Sequence, residues 1–323
     1  VIQALTAANL TSLADAAQSV ANTTEGAALL GQLQGSNKTL LAPNNEAFAA
    51  VPADVSSNTT LLANILSLHI LNASVPPADV AEGPAHTIVR SLYNNMMLNG
   101  NLTVPVVLYR GNETAEGNST GPGVIVQQAG GNVNTTANAT AANFQIYIID
   151  EVLSLPPTLG EAAGELLPSL AGLVEQAGLL DPLEQAMGLT VFAPSNDAIA
   201  GLADTLATLN ATQVQGVLAN HVINGTTVFS TQLSESGPFI SAGGQEFMFT
   251  TNDTGAYVMS GNASARIIMS DVVIQNGVVH VIDGVLVNAA SDPQAAESAA
   301  SSYAEQATQT TSMQPTGGVI GGS

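Results

Sequence analysis

Four histidines are the side chains best placed by their ordinary pKa to move protons near neutral pH. His69 stands in Leu68-His69-Ile70-Leu71-Asn72, and His221 stands in the parallel setting Asn220-His221-Val222-Ile223-Asn224. His280 lies within the β-branched run Val278-Val279-His280-Val281-Ile282, and His86 follows Gly83-Pro84-Ala85 in a loop. No pair has His-x-x-x-His or a comparable ligand spacing, so no metal site is expected. An imidazole among aliphatic residues, at the same place in two segments, reads as a structural group that satisfies buried backbone atoms.

Other chemistries find less support. The absence of cysteine removes thiolate catalysis, Cys-ligated metals and disulfides together. Gly117-Asn118-Ser119-Thr120-Gly121 fits the Gly-x-Ser-x-Gly elbow, but that elbow needs a buried strand before the serine and a helix after it. Here the flanks are Gly, Glu and Pro, and a glycan on Asn118 would crowd Ser119. Asn252-Asp253-Thr254-Gly255 has the composition of a turn, without the spaced oxygen ligands of a calcium loop. The single lysine, Lys38, cannot complete a phosphate-cradling Gly-x-x-x-x-Gly-Lys sequence. The carboxylates are scattered, and nothing selects two of them as a glycosidase pair. The chain is therefore read as a non-enzyme with no cofactor, and a hydrolase is the least favoured reading.

Charge narrows the partners. Lys38, Arg90, Arg110 and Arg266 face 25 acidic residues, a net charge of −21. A nucleic-acid binder needs basic side chains to displace counterions from phosphates, and a membrane-surface patch needs a basic cluster. Neither exists here. Hydrophobic residues make up 46% but aromatics only 4%, so the cores must be filled by Leu, Val, Ile and Ala.

The compartment is argued from Asn-x-Ser/Thr triplets, which begin at Asn9, Asn22, Asn37, Asn58, Asn72, Asn101, Asn112, Asn118, Asn134, Asn138, Asn210, Asn224, Asn252 and Asn262. Chance at this composition gives roughly four, so their density points to passage through a glycosylating secretory pathway. The chain opens on Val1-Ile2-Gln3 without a basic start or an apolar run, and is expected to be a mature form. No apolar run reaches the length of a transmembrane helix. From Ser291 to Ser323 the pattern fades into Ser, Thr, Ala, Gln and Gly, expected to form a flexible stalk. The small residues that end it suit a GPI attachment site, which would be the only link to a membrane.

The elements that must position these residues come in two copies. Thr39-Leu40-Leu41-Ala42-Pro43-Asn44-Asn45-Glu46-Ala47-Phe48 answers Thr190-Val191-Phe192-Ala193-Pro194-Ser195-Asn196-Asp197-Ala198-Ile199. Upstream, Leu10, Leu13, Ala17 and Val20 answer Leu167, Leu170, Val174 and Ala177 at helical spacing. The histidine segments answer each other downstream, and Ile146–Leu153 answers Val279–Leu286. Four blocks in one order predict a duplicated domain with its seam near Pro156-Pro157. Each copy opens on an amphipathic helix, and its Ala-Pro segment is a short strand running into a helix. Asn44 or Ser195 caps that helix, with Glu46 or Asp197 in its first turn. Further strands are expected over 104–109, 124–128, 247–251 and 266–274. Helices first and strands later make the class α+β, with a mainly antiparallel sheet or sandwich.

The boxes Ala-Pro-[Asn/Ser]-Asn-[Asp/Glu]-Ala, carrying Pro43 and Asn45 or Pro194 and Asn196, and the closing box Asn276-Gly277-Val278-Val279-His280-Val281-Ile282-Asp283 resemble the fasciclin (FAS1) family. The resemblance covers about residues 1–290. It implies two tandem fasciclin-like domains, each a β-sandwich wedged against several helices, plus a disordered C-terminal tail. The domains are expected at 1–156 and 157–290, with the tail at 291–323. The first copy is looser: Tyr147 replaces His280, Gly277 has no clear counterpart, and a sequon-rich insertion is expected at about 111–142.

The resemblance also implies adhesion at cell surfaces or in extracellular matrix. Its receptor-linked segments fall on Leu68-His69, Asn220-His221 and Asp271-Val272, which makes His69, His221, Asp271 and Val272 the adhesion candidates. Expected partners are cell-surface or cell-wall glycans and proteins, or a second copy of the chain. The sequons and short Ser/Thr stalk, without a long Pro-rich glycomodule, suit a fungal cell-surface glycoprotein more than a plant arabinogalactan type. An alternative reading is a binding module for a small apolar, phenolic or glycan ligand held between helices and sandwich.

Overall fold

The computed structural model describes residues 5–6, 8–33, 37–98, 100, 102–111, 123–141, 144–233, 239–313 and 319–321. The chain divides into two units, the first built mainly from residues up to Leu155 and the second mainly from Pro156 to Gln314.

In the first unit, α1 (Thr11–Val20) and α2 (Thr24–Gln32) lead into β1 (Lys38–Pro43). Three helices follow, α3 (Asn45–Ala49), α4 (Ala53–Ser57) and α5 (Thr59–Leu68), and then β2 (Ile70–Leu71). The remaining strands are β3 (Thr87–Arg90), β4 (Pro105–Arg110), β5 (Val124–Gln128), β6 (Gly131–Ala141) and β7 (Phe144–Ile149). β1 is buried at all six positions because it lies inside the sheet, parallel to β7 and antiparallel to β2. Leu13, Leu40, Leu62, Leu66 and Ile70 form the aliphatic core between helices and sheet.

The second unit repeats this order. It opens on α6 (Leu159–Leu166), α7 (Pro168–Gln176) and α8 (Leu180–Gln185), followed by β8 (Leu189–Pro194). Next come α9 (Asn196–Ala200), α10 (Ala203–Leu206), α11 (Ala211–Ala219) and β9 (Val222–Asn224). Strands β10 (Phe239–Ile240), β11 (Glu246–Asn252), β12 (Gly255–Ser260), β13 (Ala263–Ile274) and β14 (Gly277–Ile282) complete the sheet in the order β10-β11-β12-β13-β14-β8-β9. Here Phe192 packs between Phe247 and His280, with ring centroids 5.1 and 5.4 Å away.

In each unit one long strand serves two partners. Residues 131–134 of β6 pair with β5 and residues 135–141 with β7, with a bulge between Thr135 and Ala137. β13 divides likewise between β12 and β14. A strand that bends through a bulge and changes partner turns one layer of the sheet into the next.

Four features refine the sequence expectation or differ from it. The sheets are mainly antiparallel, as expected, and each adds one parallel pair, β1 with β7 and β8 with β14. The stretch 111–142 also holds β5 and β6; the extra residues expected within it fall between β4 and β5, mostly in 112–122, outside the described residues. Gly277 does have a counterpart: Lys38 pairs with Phe144 as Leu189 pairs with Gly277.

The fourth feature lies in the stretch expected as a stalk, where Pro293–Met313 forms a helix, α12. Asp292 caps it through Oδ1, which accepts from Ala295 N at 3.0 Å. Half-buried positions at 296, 299, 300, 303 and 307 recur at helical spacing, and Tyr303 Oη accepts from Ile240 N at 2.8 Å. Alanine-rich composition favours the helix, and one tyrosine anchors it. Val319–Gly321 (β15) pairs antiparallel with β3 in the first unit.

The parallel pair in the second unit leaves no space at Gly277, where an added Cβ would lie 1.9 Å from Leu189 O. Gly277→Ala should lower the unfolding free energy of this unit by about 3 kcal/mol or more, as overpacking against backbone does. At Gly172, on α7, an added Cβ meets nothing within 4 Å, so Gly172→Ala should instead stabilise by about 0.5–1 kcal/mol. Urea unfolding of both variants checks the pair.

Candidate functional site

The two equivalent histidines occupy one structural role twice. His69 follows α5, and its Nδ1 lies 2.7 Å from Ile65 O while Nε2 accepts from Leu153 N at 3.0 Å. His221 follows α11, with Nδ1 2.7 Å from Val217 O and Nε2 accepting from Leu286 N at 2.9 Å. A backbone N–H aimed at Nε2 requires that nitrogen to be unprotonated, so Nδ1 carries the proton and donates it to the helix carbonyl. Each neutral imidazole thereby ties a helix end to the segment after the closing strand. Burial pushes both rings down to about 4 from 6.5, against the smaller opposing pull of the carbonyl each one bonds.

The Ala-Pro-x-Asn boxes are structural as well. Asn44 Oδ1 and Ser195 Oγ cap α3 and α9 by accepting from Ala47 N at 2.8 Å and Ala198 N at 3.1 Å. The next residue reaches further. Asn45 Oδ1 accepts from Ser12 N at 3.0 Å, and Asn196 Oδ1 accepts from Ser169 N at 3.1 Å. Each caps from a distance an early helix of its unit, α1 or α7, whose own preceding residue is a leucine without a capping group. Pro43 and Pro194 end the buried strands β1 and β8 opposite Ile149 and Ile282.

Asp271, His280 and a serine absent from the sequence reading come together in the second unit. Ser230 donates to Asp271 through both its backbone N and its Oγ, the former at 2.7 Å. His280 Nδ1 accepts from Asp271 N at 3.3 Å, and its Nε2 lies 2.9 Å from Val228 O. Asp271 has φ +61 and sits where β13 bulges between Met269 and Val272. In the first unit Tyr147 Oη donates to Val75 O at 2.7 Å, and Thr39 and Thr190 hold the surrounding segments identically. Tyrosine and histidine thus satisfy the same carbonyl. Asp283 closes β14 by accepting from Arg266 N at 2.7 Å, and Asn276 is buried with its amide on main-chain carbonyls.

These positions correct the adhesion assignment. His69, His221, Asp271 and Val272 are 1%, 3%, 0% and 2% exposed, so none can touch a partner of the folded chain. They lie inside because each either satisfies buried backbone groups or packs in the core. Gly117–Gly121 lies outside the described residues. Among the described residues, no three of His, Asp and Glu gather as a metal-binding group.

One cavity stands out beyond the motifs. It occupies about 260 Å3 in the second unit, between α6, α7, α8 and the β8–β9 edge, lined by Ala163, Leu170, Val174, Leu183, Phe192 and His221 among others. The corresponding place in the first unit, lined by Leu13, Leu29, Leu40, His69 and Phe144 among others, holds about 40 Å3. Val191, Phe192, Pro194 and His221 of this wall belong to the repeated blocks, whereas the lining from α6, α7 and α8 is chiefly apolar and carries no family box.

The family model described as the fasciclin domain matches residues 9–156 and again 166–288. Protein sll1483 of Synechocystis sp. is 35% identical over 130 residues, covering 39% of this chain and 69% of that protein. The fasciclin-like arabinogalactan protein CTB11 of Cercospora beticola is 26% identical over 147 residues, covering 44% of this chain and 37% of that protein. The solved FAS1 domain pair from the insect cell adhesion molecule Fasciclin I covers 86% of this chain and 97% of its own, at 18% identity and a TM-score of 0.41.

The histidine geometry sets a pH response. The folded pKa lies below the unfolded one, so the contribution is complete above pH 6.5 and is lost as pH falls from 6.5 towards 4. Between pH 7.5 and 5.0 each unit should lose roughly 2 kcal/mol of unfolding free energy. His69→Leu should flatten this dependence for the first unit and His221→Leu for the second. Each variant should also lose about 1–3 kcal/mol at pH 7.5, chiefly from the orphaned N–H of Leu153 or Leu286. Urea unfolding at the two pH values measures both effects.

Proposed function

The chain belongs to the fasciclin domain family, and from that premise we propose that it is a secreted, N-glycosylated adhesion protein of the cell surface or cell wall. Two units in one chain make weak contacts that become effective through multivalent display, where avidity replaces single-site affinity. The family's role in adhesion and matrix supports this reading.

The observation that carries it is the placement of the sequons. Asn101, Asn112 and Asn118 lie outside the described residues; of the eleven that remain, ten are exposed and only Asn72 is half-buried. Each exposed asparagine stands where a glycan needs no rearrangement of the fold. Asn72 also differs in that its Oδ1 accepts from Lys38 Nζ at 2.7 Å.

With the motif residues buried, adhesive contacts belong to exposed surface instead. In the second unit Met248, Ile268 and Met269, on β11 and β13, are each close to half exposed. Partners on this reading are wall or surface glycans and proteins, or a second copy of the chain. Attachment to a membrane would run through a GPI anchor; among the described residues no helix is long and apolar enough to cross one. The reading assigns no catalytic step.

Beads coated with the secreted chain should clump, alone or with beads carrying wall polysaccharide, and soluble chain should compete the clumping away. Ile268→Glu with Met248→Glu should reduce it several-fold. Absence of clumping in every mixture would remove the adhesive reading. Glycopeptide mapping should find glycans on the exposed asparagines and the lowest occupancy at Asn72.

A further inference from the structure

We propose that the cavity of the second unit is a binding site for one small, uncharged, apolar molecule of about ten to fifteen non-hydrogen atoms. This goes beyond the adhesive reading and does not depend on it.

The chain carries its own control. Both units place an early helix (α1 or α7), a histidine and the buried first strand around the same spot, with Leu13, Leu40 and His69 answering Leu170, Val191 and His221. The first unit packs that spot down to about 40 Å3, and the second leaves about 260 Å3. The fold therefore does not impose the space; the side chains of the second unit do. Phe144, which lines the first pocket, has Gly277 as its register counterpart. Ala163 and Ala171 line the second.

Polar ties hold the space open. The buried Asn276 donates through Nδ2 to Leu183 O at 2.7 Å and Ala186 O at 2.8 Å, which fixes the end of α8 against the sheet. Glu184 Oε1 accepts from Gly160 N at 2.9 Å and joins α8 to α6. A wall anchored through main-chain carbonyls cannot collapse inward as a wall held only by apolar contact would.

The lining specifies the ligand class. His221 has both ring nitrogens engaged. Among the described residues, the buried side-chain polar atoms without a partner belong to Arg90, Thr227 and Thr231, none of which lines the cavity. The site thus asks for no hydrogen bond. Its one ionisable acid is Glu175, at an exposed position, in a chain of net charge −21, so an anionic ligand meets repulsion and no cation. A dry 150 Å3 apolar cavity takes benzene, and the present one takes a larger hydrocarbon-like or aryl molecule bearing at most one neutral polar group.

The test is titration of the full chain with 1-aminoanthracene, a neutral fluorescent probe, at pH 7.5. Saturable binding of one probe per chain is expected, displaced by decanol and at least tenfold less effectively by decanoate. Ala163→Leu and Ala171→Leu, which fill the cavity, should each weaken binding at least tenfold while leaving circular dichroism unchanged. Decanol should also raise the urea midpoint of the unmutated second unit, a readout that needs no variant. The proposal is overturned by absence of saturable binding, by binding that survives both substitutions in folded protein, or by decanoate competing as well as decanol. Bead clumping is read separately, so failure here leaves the adhesive reading standing.

Discussion

The rest of each unit hangs from the parallel pairing of its first strand with its last. Lys38–Pro43 lies beside Phe144–Ile149, and Leu189–Pro194 lies beside Gly277–Ile282, register for register. Parallel neighbours cannot be joined by a tight turn, so everything between them is one long crossover. That crossover must start and finish at fixed points. The capped helix that leaves the first strand and the histidine at the next helix end supply those points, the latter by bonding the segment that follows the last strand. Loop-closure entropy grows only about 0.6 kcal/mol per doubling of length, so the longer β4–β5 connection of the first unit is accommodated without disturbing the frame.

Within this frame the two copies differ where chemistry permits. The carbonyl of Val75 or Val228 needs one donor, and a tyrosine hydroxyl or an imidazole N–H reaches it equally well. Asp271 has no such substitute, because it exists only where β13 carries a second bulge and turns its backbone to positive φ. The carboxylate then satisfies two donors of Ser230. Residues that look reactive in the sequence are thus occupied in holding main chain.

What was legible in the sequence was local or repeated. The capping roles of Asn44 and Ser195, the structural reading of His69 and His221, and the strands at 104–109, 124–128, 247–251 and 266–274 follow from backbone periodicity and hydrogen-bonding type. These act over a few residues, and the duplication presents each pattern twice. The family boxes were legible for the same reason, since side chains that bond main chain are tied to fixed spacings.

Tertiary structure alone decided the remainder. Asn45 and Asn196 cap helices through residues 33 and 27 positions upstream, a contact that no local pattern encodes. The helix over Pro293–Met313 has a half-buried face of alanines around one tyrosine, which by composition looks like a stalk until the edge at Ile240 is present to receive it. Burial removed the adhesion candidates from the surface because solvent exposure belongs to the packed whole. The cavity beside His221 has no signature at all: it is a small difference between the volume the second unit encloses and the volume its side chains fill, and that difference exists only once the elements have met.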